Sequence, residues 1–367
     1  MSYAFESAAL DAELLDRIGR WHRNGHEMSE ADFDDLALRL LSYQLDYDRP
    51  YARYCGSLGV TRSSLPDTWR RIPAVPSEAF KDATLVTFDP SRAALAFQTS
   101  GTSGGAGGRH YMETRELYDA ALTAAFDRFV LSDRARLRYL NAVPNPAERP
   151  QSSLGYMMAV VAGARGDGQT GWYVRGEALL FEAFVADARA AAQECRAVCL
   201  TATTFALANL LDELERRRIT IAFAPGSRIV ETGGFKGRAR IVTRSDLYER
   251  ACAAFGITPA DVISEYGMTE LSSQYYDAPS SRGEPETRRK VSPSWLRSRV
   301  VGPNGEDVPK GTVGALVHVD LANRSSCIAI ATADLGVAFD DGLVLLGRDS
   351  GASLRGCSLD AETLRPR

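Results

Sequence analysis

Residues 97–110 read FQTSGTSGGAGGRH, and nowhere else in the chain do glycine, serine and threonine crowd so densely between structured stretches. The small apolar segment 93–97 before them reads as a buried strand. From Thr114 onward, Leu117, Ala120, Ala121, Ala124, Phe126 and Phe129 recur near the 3.6-residue helical period. Glycines without a Cβ let successive backbone N–H groups converge on an anion, and the hydroxyls of Thr99, Ser100, Thr102 and Ser103 add donors that also suit a metal. The chain is therefore expected to fold around a phosphate cradle. The alternative, a flexible Gly/Ser linker, sits poorly with a position deep in the chain and with the lack of a composition change on either side.

With 367 residues, 45% hydrophobic and 25% charged, the chain can bury a large core as one big domain or two subdomains. A net charge of −4 and the absence of a long basic block argue against a nucleic-acid partner. The densest basic runs, 216–218 and 288–290, read as solvated helix ends or loops. No basic segment followed by an apolar core opens the chain, and no apolar run approaches the ~20 residues of a membrane span, so a cytoplasmic location is expected. The cysteines Cys55, Cys195, Cys199, Cys252, Cys327 and Cys357 form no CxxC pair and read mostly as small buried hydrophobes. His22 and His26 stand at helical spacing without a third ligand nearby, which disfavours a zinc site.

The first 92 residues read as helices, over 7–21 and over 30–54 with Ser29 as N-cap, followed by a proline-punctuated loop over 65–80 that leads to Lys81. Alternation follows: strands over 137–143, 197–201, 227–231 and 262–265, and helices over 181–195, 204–217 and 245–255, the last closed by Gly256. An apolar, glycine-containing segment occupies 154–161. Beyond Pro293 the helices give way to short strands over 299–301, 314–319, 326–332 and 343–346. The expected fold class is α/β: a helical part (1–92), a layered core (93–292), a β-rich subdomain (293–346) and a hinge-like C-terminal segment (347–367).

Four further stretches stand where chemistry collects. ISEYGMTELSS (263–273) puts an aromatic ring, a glycine and a carboxylate at a strand end, where ligands of open α/β sheets bind. ETGGFK (231–236) lets a flat ring lie against the backbone. ADLG (333–336) places an acid, Asp334, at a strand end suited to two hydroxyls. GRDSGASLRGCSL (347–359) carries Arg348 and Cys357.

Taken in order, TSGTSG (99–104), TGG (232–234), YGMTE (266–270), TADLG (332–336) and GR with LRG (347–348, 354–356) resemble the core motifs of the adenylate-forming enzymes, the acyl-CoA synthetase and luciferase superfamily. Within it, PSEAFK (76–81), GGFK (233–236) and RGCSL (355–359) are most similar to the LuxE-type acyl-protein synthetases. The resemblance implies that Thr99, Ser100, Gly101, Thr102, Ser103 and Gly104 wrap the phosphates of ATP. It implies an adenine slot at Gly233, Gly234, Tyr266 and Gly267, an α-phosphate contact from Thr269, Mg2+ on Glu270 and ribose on Asp334, with Arg348 close by. Cys357 resembles the cysteine that takes the acyl group as a thioester.

Arg109 stands where the superfamily's loop usually carries a lysine; its fork suits phosphate. These enzymes commonly add a mobile C-terminal domain with a catalytic lysine, and the chain ends soon after Gly356, so a full domain of that kind is expected to be lacking. Its role then falls to Lys236, to Lys81 or to a partner chain. The implied activity is ATP-dependent activation of a carboxylic acid, fatty in the narrower family, with acyl hand-over from Cys357 to a reductase or other acceptor protein. A CoA ligase or adenylating enzyme for an aryl or secondary-metabolite acid, and a non-catalytic subunit of an acyl-reducing complex, are the alternatives. The acid itself stays open, with its pocket expected between 156–160 and 203–205.

Overall fold

The computed structural model describes residues 2–99, 107–133, 135–176, 178–233 and 243–348. The chain forms two compact units, one of Met1–Ala124, Met268–Gln274 and Ser292–Arg367, the other of Ala125–Gly267 and Tyr275–Val291.

The first unit opens with α1 (Tyr3–Asn24), α2 (Glu30–Tyr47) and α3 (Arg49–Ser57). Ser29 caps α2 as expected, its hydroxyl accepting from the Asp32 amide at 3.0 Å. The single helix expected over 30–54 is instead two. Asp48 turns extended, with φ −100° and ψ 91°, and its carboxylate accepts from the Tyr51 amide at 3.0 Å. Pro50, which has no N–H to give an upstream carbonyl, fits only the first turn of the new helix. After it come β1 (Val75–Pro76), the short α4 (Ala79–Asp82), an antiparallel hairpin of β2 (Leu95–Gln98) and β3 (Arg109–Met112), and α5 (Glu116–Phe129).

The second unit contains β4 (Leu137–Pro144), α6 (Ser153–Arg165), β5 (Gly166–Arg175), β6 (Ala178–Leu179), α7 (Phe181–Gln193), β7 (Val198–Thr203) and α8 (Thr204–Arg216). It continues with β8 (Arg228–Thr232), α9 (Arg244–Phe255), β9 (Val262–Tyr266), β10 (Tyr275–Asp277) and β11 (Lys290–Val291). Its strands lie in the order β11-β10-β9-β8-β7-β4-β5-β6. The run from β9 to β5 is parallel, and β4 is buried along nearly its whole length, as strands covered on both faces are. Phe184, Leu207, Leu211 and Phe255 fill the layer between α7, α8, α9 and the sheet. Each such side chain contributes about 1.5–3 kcal/mol through burial.

Arg288 and Lys290, expected in solvent, are instead buried. Asp277 explains this: its two carboxylate oxygens take Arg288 Nη1 at 2.9 Å and Lys290 Nζ at 2.8 Å, and the Ser264 amide donates to it at 2.8 Å. Removing the one anion would strand two desolvated cations. Asp277→Ala is therefore expected to destabilise the chain by about 3–5 kcal/mol, read as a shift in the urea midpoint.

Back in the first unit, β12 (Leu296–Val301), β13 (Val313–Asp320), β14 (Ala329–Phe339) and β15 (Gly342–Arg348) form an antiparallel meander, with β1 parallel to β14. The strand expected over 326–332 runs on to Phe339, so Asp334 lies in mid-strand rather than at a strand end. It is paired in register with Arg348 across the ladder.

Candidate active site

The glycine-rich stretch leaves and rejoins the first unit through a hairpin. Gln98 pairs with Arg109 and Phe97 with His110, and the Thr99 amide donates to the Gly108 carbonyl at 2.8 Å. Two of its glycines serve packing. A Cβ on Gly107 would sit 2.5 Å from the Thr99 carbonyl oxygen, and one on Gly108 would sit 2.4 Å from that of Phe80. The backbone oxygens cannot swing away as a flexible side chain would. Gly108→Ala is thus expected to cost about 1–3 kcal/mol in thermal or urea unfolding, with the hairpin displaced.

Thr99 is buried, and its hydroxyl has no hydrogen-bond partner among the described residues. A buried, unpaired hydroxyl is costly unless something accepts from it, and a phosphate oxygen would. Ser100, Gly101, Thr102, Ser103 and Gly104 lie outside the described residues. Arg109 is exposed, as is Lys81.

Next to Arg109, His110 is buried at 1% exposure, with its ring edge-on to Phe80 at 5.7 Å. Its Nδ1 lies 2.8 Å from the Thr269 carbonyl oxygen. Burial pulls the ring's pKa down to about 4, so it is neutral near pH 7. Since a carbonyl only accepts, Nδ1 carries the proton. Sequence reading weighed the histidines only as metal ligands and passed this one over. The signal that would have found it is its place in β3, two residues beyond the last glycine of the run.

Thr269 is half-buried and Glu270 is 9% exposed. They stand in a turn closed by the Leu271 amide on the Met268 carbonyl at 3.1 Å. Asn323 Nδ2 donates to the Glu270 carbonyl at 2.8 Å and to the Cys327 carbonyl at 3.1 Å. The Ser272 amide and the Ser273 hydroxyl donate to the two oxygens of Asp320, each at 2.9 Å. Burial raises the Asp320 carboxyl to about 6, against the pull of these donors.

The second unit holds the expected adenine-slot residues. Strands β8 and β9 are parallel neighbours with Thr232 opposite Glu265, so Gly233 and Tyr266 follow at adjacent carboxyl ends. Gly233 has φ +85°, a left-handed conformation that favours glycine. Behind it, the Thr204 hydroxyl donates to Glu231 at 2.6 Å and lies 3.0 Å from the Gly233 carbonyl oxygen, while the Tyr248 hydroxyl donates to Glu231 at 2.9 Å. Thr232 donates to Glu265, whose burial raises its carboxyl to about 7. Gly267 and Tyr266 are half-buried, and the Tyr266 ring lies 5.6 Å from that of Tyr275. Gly234 and Lys236 lie outside the described residues.

In the meander, Arg348 Nε donates to Asp334 Oδ1 at 2.9 Å. Cys357 lies outside the described residues. Of the other cysteines, Cys55, Cys199 and Cys327 are buried, and burial pushes Cys55 and Cys199 up to about 12. Cys195, expected to be buried, is exposed at the end of α7 with φ +53°.

No protein-family model matches the chain. The chain is 22% identical over 347 residues to the long-chain-fatty-acid–luciferin-component ligase of Vibrio harveyi, covering 92% of this chain and 87% of that protein. A 2-hydroxyisobutyryl-CoA ligase solved with 2-HIB-AMP and CoA superposes with a TM-score of 0.62 at 17% identity, over 90% of this chain and 73% of that one. ATP-bound MatB from Rhodopseudomonas palustris gives 0.51 at 18% identity, over 72% of this chain and 49% of that one. The fold is that of the adenylate-forming enzymes. The alignment with the Vibrio harveyi ligase bears out the likeness to LuxE-type acyl-protein synthetases drawn from the motifs. The chain spans about half the length of the MatB structure it matches.

An adenylate-forming fold implies ATP and Mg2+, and the residues present fit both. Among the described residues no group of three or more His, Cys, Asp or Glu could by itself hold a metal. A magnesium ion keeps few protein ligands and takes most of its shell from phosphate and water. One buried carboxylate, Glu270, together with the unpaired hydroxyl of Thr99, suits a metal–triphosphate better than a bare ion. Among the described residues no helix is long and apolar enough to cross a membrane.

Proposed function

We propose that this chain uses ATP and Mg2+ to activate a carboxylic acid of the fatty class and passes the acyl group to Cys357 as a thioester. The observation that carries this reading is the bond from His110 to the Thr269 carbonyl, which ties the exit strand of the glycine-rich stretch to the YGMTE turn within one unit. The likeness to a fatty-acid ligase of luminescence supports the narrower acid class.

Joining a carboxylate to ATP brings two anions together, so the site must supply cationic and hydrogen-bond-donating partners. In the proposed reaction a carboxylate oxygen attacks the α-phosphorus, the bond from that phosphorus to the bridging oxygen breaks, and pyrophosphate leaves. Magnesium supplies charge neutralisation on the phosphates. Thr99, Ser100, Gly101, Thr102, Ser103, Gly104 and Arg109 hold the phosphates, Thr269 donates to the α-phosphate and Glu270 orients the metal. Gly233, Gly234, Tyr266 and Gly267 bound the adenine, and Asp334, held by Arg348, meets the ribose. Lys236 supplies positive charge near the reacting carboxylate. The Cys357 sulfur, having lost its proton, then attacks the acyl carbon, and the bond from carbon to the AMP oxygen breaks. Arg355, two positions earlier in the sequence, would favour the thiolate. A reductase or another acyl-acceptor protein takes the group onward.

The test is acid-dependent ATP–pyrophosphate exchange across fatty and aromatic acids, followed by mass spectrometry of the intact chain and of the peptide holding Cys357. Exchange with a fatty acid and an acyl adduct on Cys357 are expected. Acyl-CoA formation with Cys357 unmodified would instead establish a CoA ligase, and no exchange with any acid would leave a non-catalytic subunit.

A further inference from the structure

The side chains of Thr269 and Glu270 project from a turn, beyond the end of β9, where no strand ladder fixes their direction. Their backbone is nevertheless pinned at successive points by side chains from elsewhere in the same unit. His110 holds the Thr269 carbonyl, Asn323 the Glu270 carbonyl and Asp320 the Ser272 amide. All three are buried at 1% exposure or less. The Leu271 amide on the Met268 carbonyl fixes the peptide plane before Thr269, and the His110 and Asn323 bonds fix the two planes after it, so the Cα–Cβ directions of Thr269 and Glu270 are set on both sides.

We propose that His110, Asn323 and Asp320 form a clamp that positions Thr269 and Glu270 for ATP and its metal, with His110 coupling that turn to the glycine-rich hairpin. The inference rests on the proposed function for what the turn binds. Chemistry sets the direction of each bond. A carbonyl needs a donor, so His110 acts through Nδ1–H. Asn323 spends its amide hydrogens on two carbonyls, so its oxygen points the other way. Asp320 accepts from Ser272, from Ser273 and from the Ala322 amide at 3.0 Å, which locks its own rotamer. Trp295 Nε1 donates to the Ser273 hydroxyl at 2.9 Å and closes the back of the clamp. None of the three is assigned a contact with the nucleotide; each acts through the turn.

The decisive comparison is His110→Phe against His110→Asn. Phenylalanine keeps a ring against Phe80 but has no donor, whereas asparagine presents an N–H close to where Nδ1 stood. Asn323→Asp removes the other donor. In His110→Phe and Asn323→Asp, the kcat for acid-dependent pyrophosphate exchange is expected to fall roughly 10–100-fold and the Mg2+ concentration at half-saturation to rise, as when groups supporting a ligand are lost. His110→Asn is expected to stay within about threefold of the parent. Hydrogen exchange of the 268–274 peptide gives a second readout without turnover: faster exchange is expected in His110→Phe and parent-like exchange in His110→Asn.

Parent-like kcat, Mg2+ dependence and exchange of that peptide in a folded His110→Phe chain would overturn the clamp. So would equal losses in His110→Phe and His110→Asn that track their melting temperatures. If the parent chain itself exchanges no pyrophosphate with any acid, the functional reading fails, and the peptide's exchange in the two variants still decides whether the clamp exists.

Discussion

Glu270→Gln is expected to lower acid-dependent pyrophosphate exchange roughly 10²–10³-fold while leaving the chain folded. The carboxylate is only 9% exposed, so its charge is largely held out of water, and a magnesium ion on it would offset part of that cost. Glutamine has the same shape without the charge. The turn should survive because Asn323 holds residue 270 by its backbone carbonyl, which the substitution does not touch. Urea unfolding should therefore place the variant within about 1 kcal/mol of the parent, as for a substitution that leaves the backbone contacts in place. Exchange within about threefold of the parent would remove Glu270 from the proposed chemistry. A large fall in both activity and stability would mean that its carboxylate serves the fold.

Cys357→Ser is expected to leave pyrophosphate exchange intact and to abolish the acyl adduct. Adenylate formation and acyl capture are separate steps in the proposed reaction, and only the second needs the sulfur. A serine hydroxyl is a far weaker nucleophile near neutral pH without a base to activate it. The remaining cysteines offer a clear control. Cys55, Cys199 and Cys327 are buried, with burial raising each thiol, so they are poor substitutes. Cys195 is exposed, and Cys195→Ala should keep the full adduct. Acyl mass persisting in Cys357→Ser, or mapping to Cys195 in the parent chain, would overturn the carrier role.

The sequence made the alternating core legible because each strand there is a short apolar run closed by a turn or a capping residue. Ser29, Thr203 and Gly256 mark helix ends through local hydrogen bonds and backbone preference, and these do not depend on the rest of the fold. What it hid depends on distant partners. The apolar period runs unbroken across Asp48, so the break between α2 and α3 became visible only with the cap in place. Strand β5 carries three glycines and no clear alternation, and pairing with β4 is what makes it a strand. Asp334 stands where the run before it ends in small residues, whereas pairing with β13 on one side and β15 on the other carries β14 on to Phe339. The site divides in the same way. Thr99, Thr269 and Glu270 were named from their motifs, while His110, Asp320 and Asn323 matter only through the backbone atoms they meet.

The hairpin that carries the glycine-rich stretch has a consequence for how the stretch can change. Gln98 opposite Arg109, and Thr99 bonded to Gly108, hold the two ends at neighbouring positions whatever lies between them. The entropy of bringing those ends together is met by the ladder, and it grows only slowly with the length of chain enclosed. Residues 100–106 can therefore be lengthened, shortened or recomposed with little charge to folding, so long as Gly107 and Gly108 keep their close approaches. Among loop variants selected only for retained folding, changes should cluster between Thr99 and Gly107, and few should survive in the two glycines that follow.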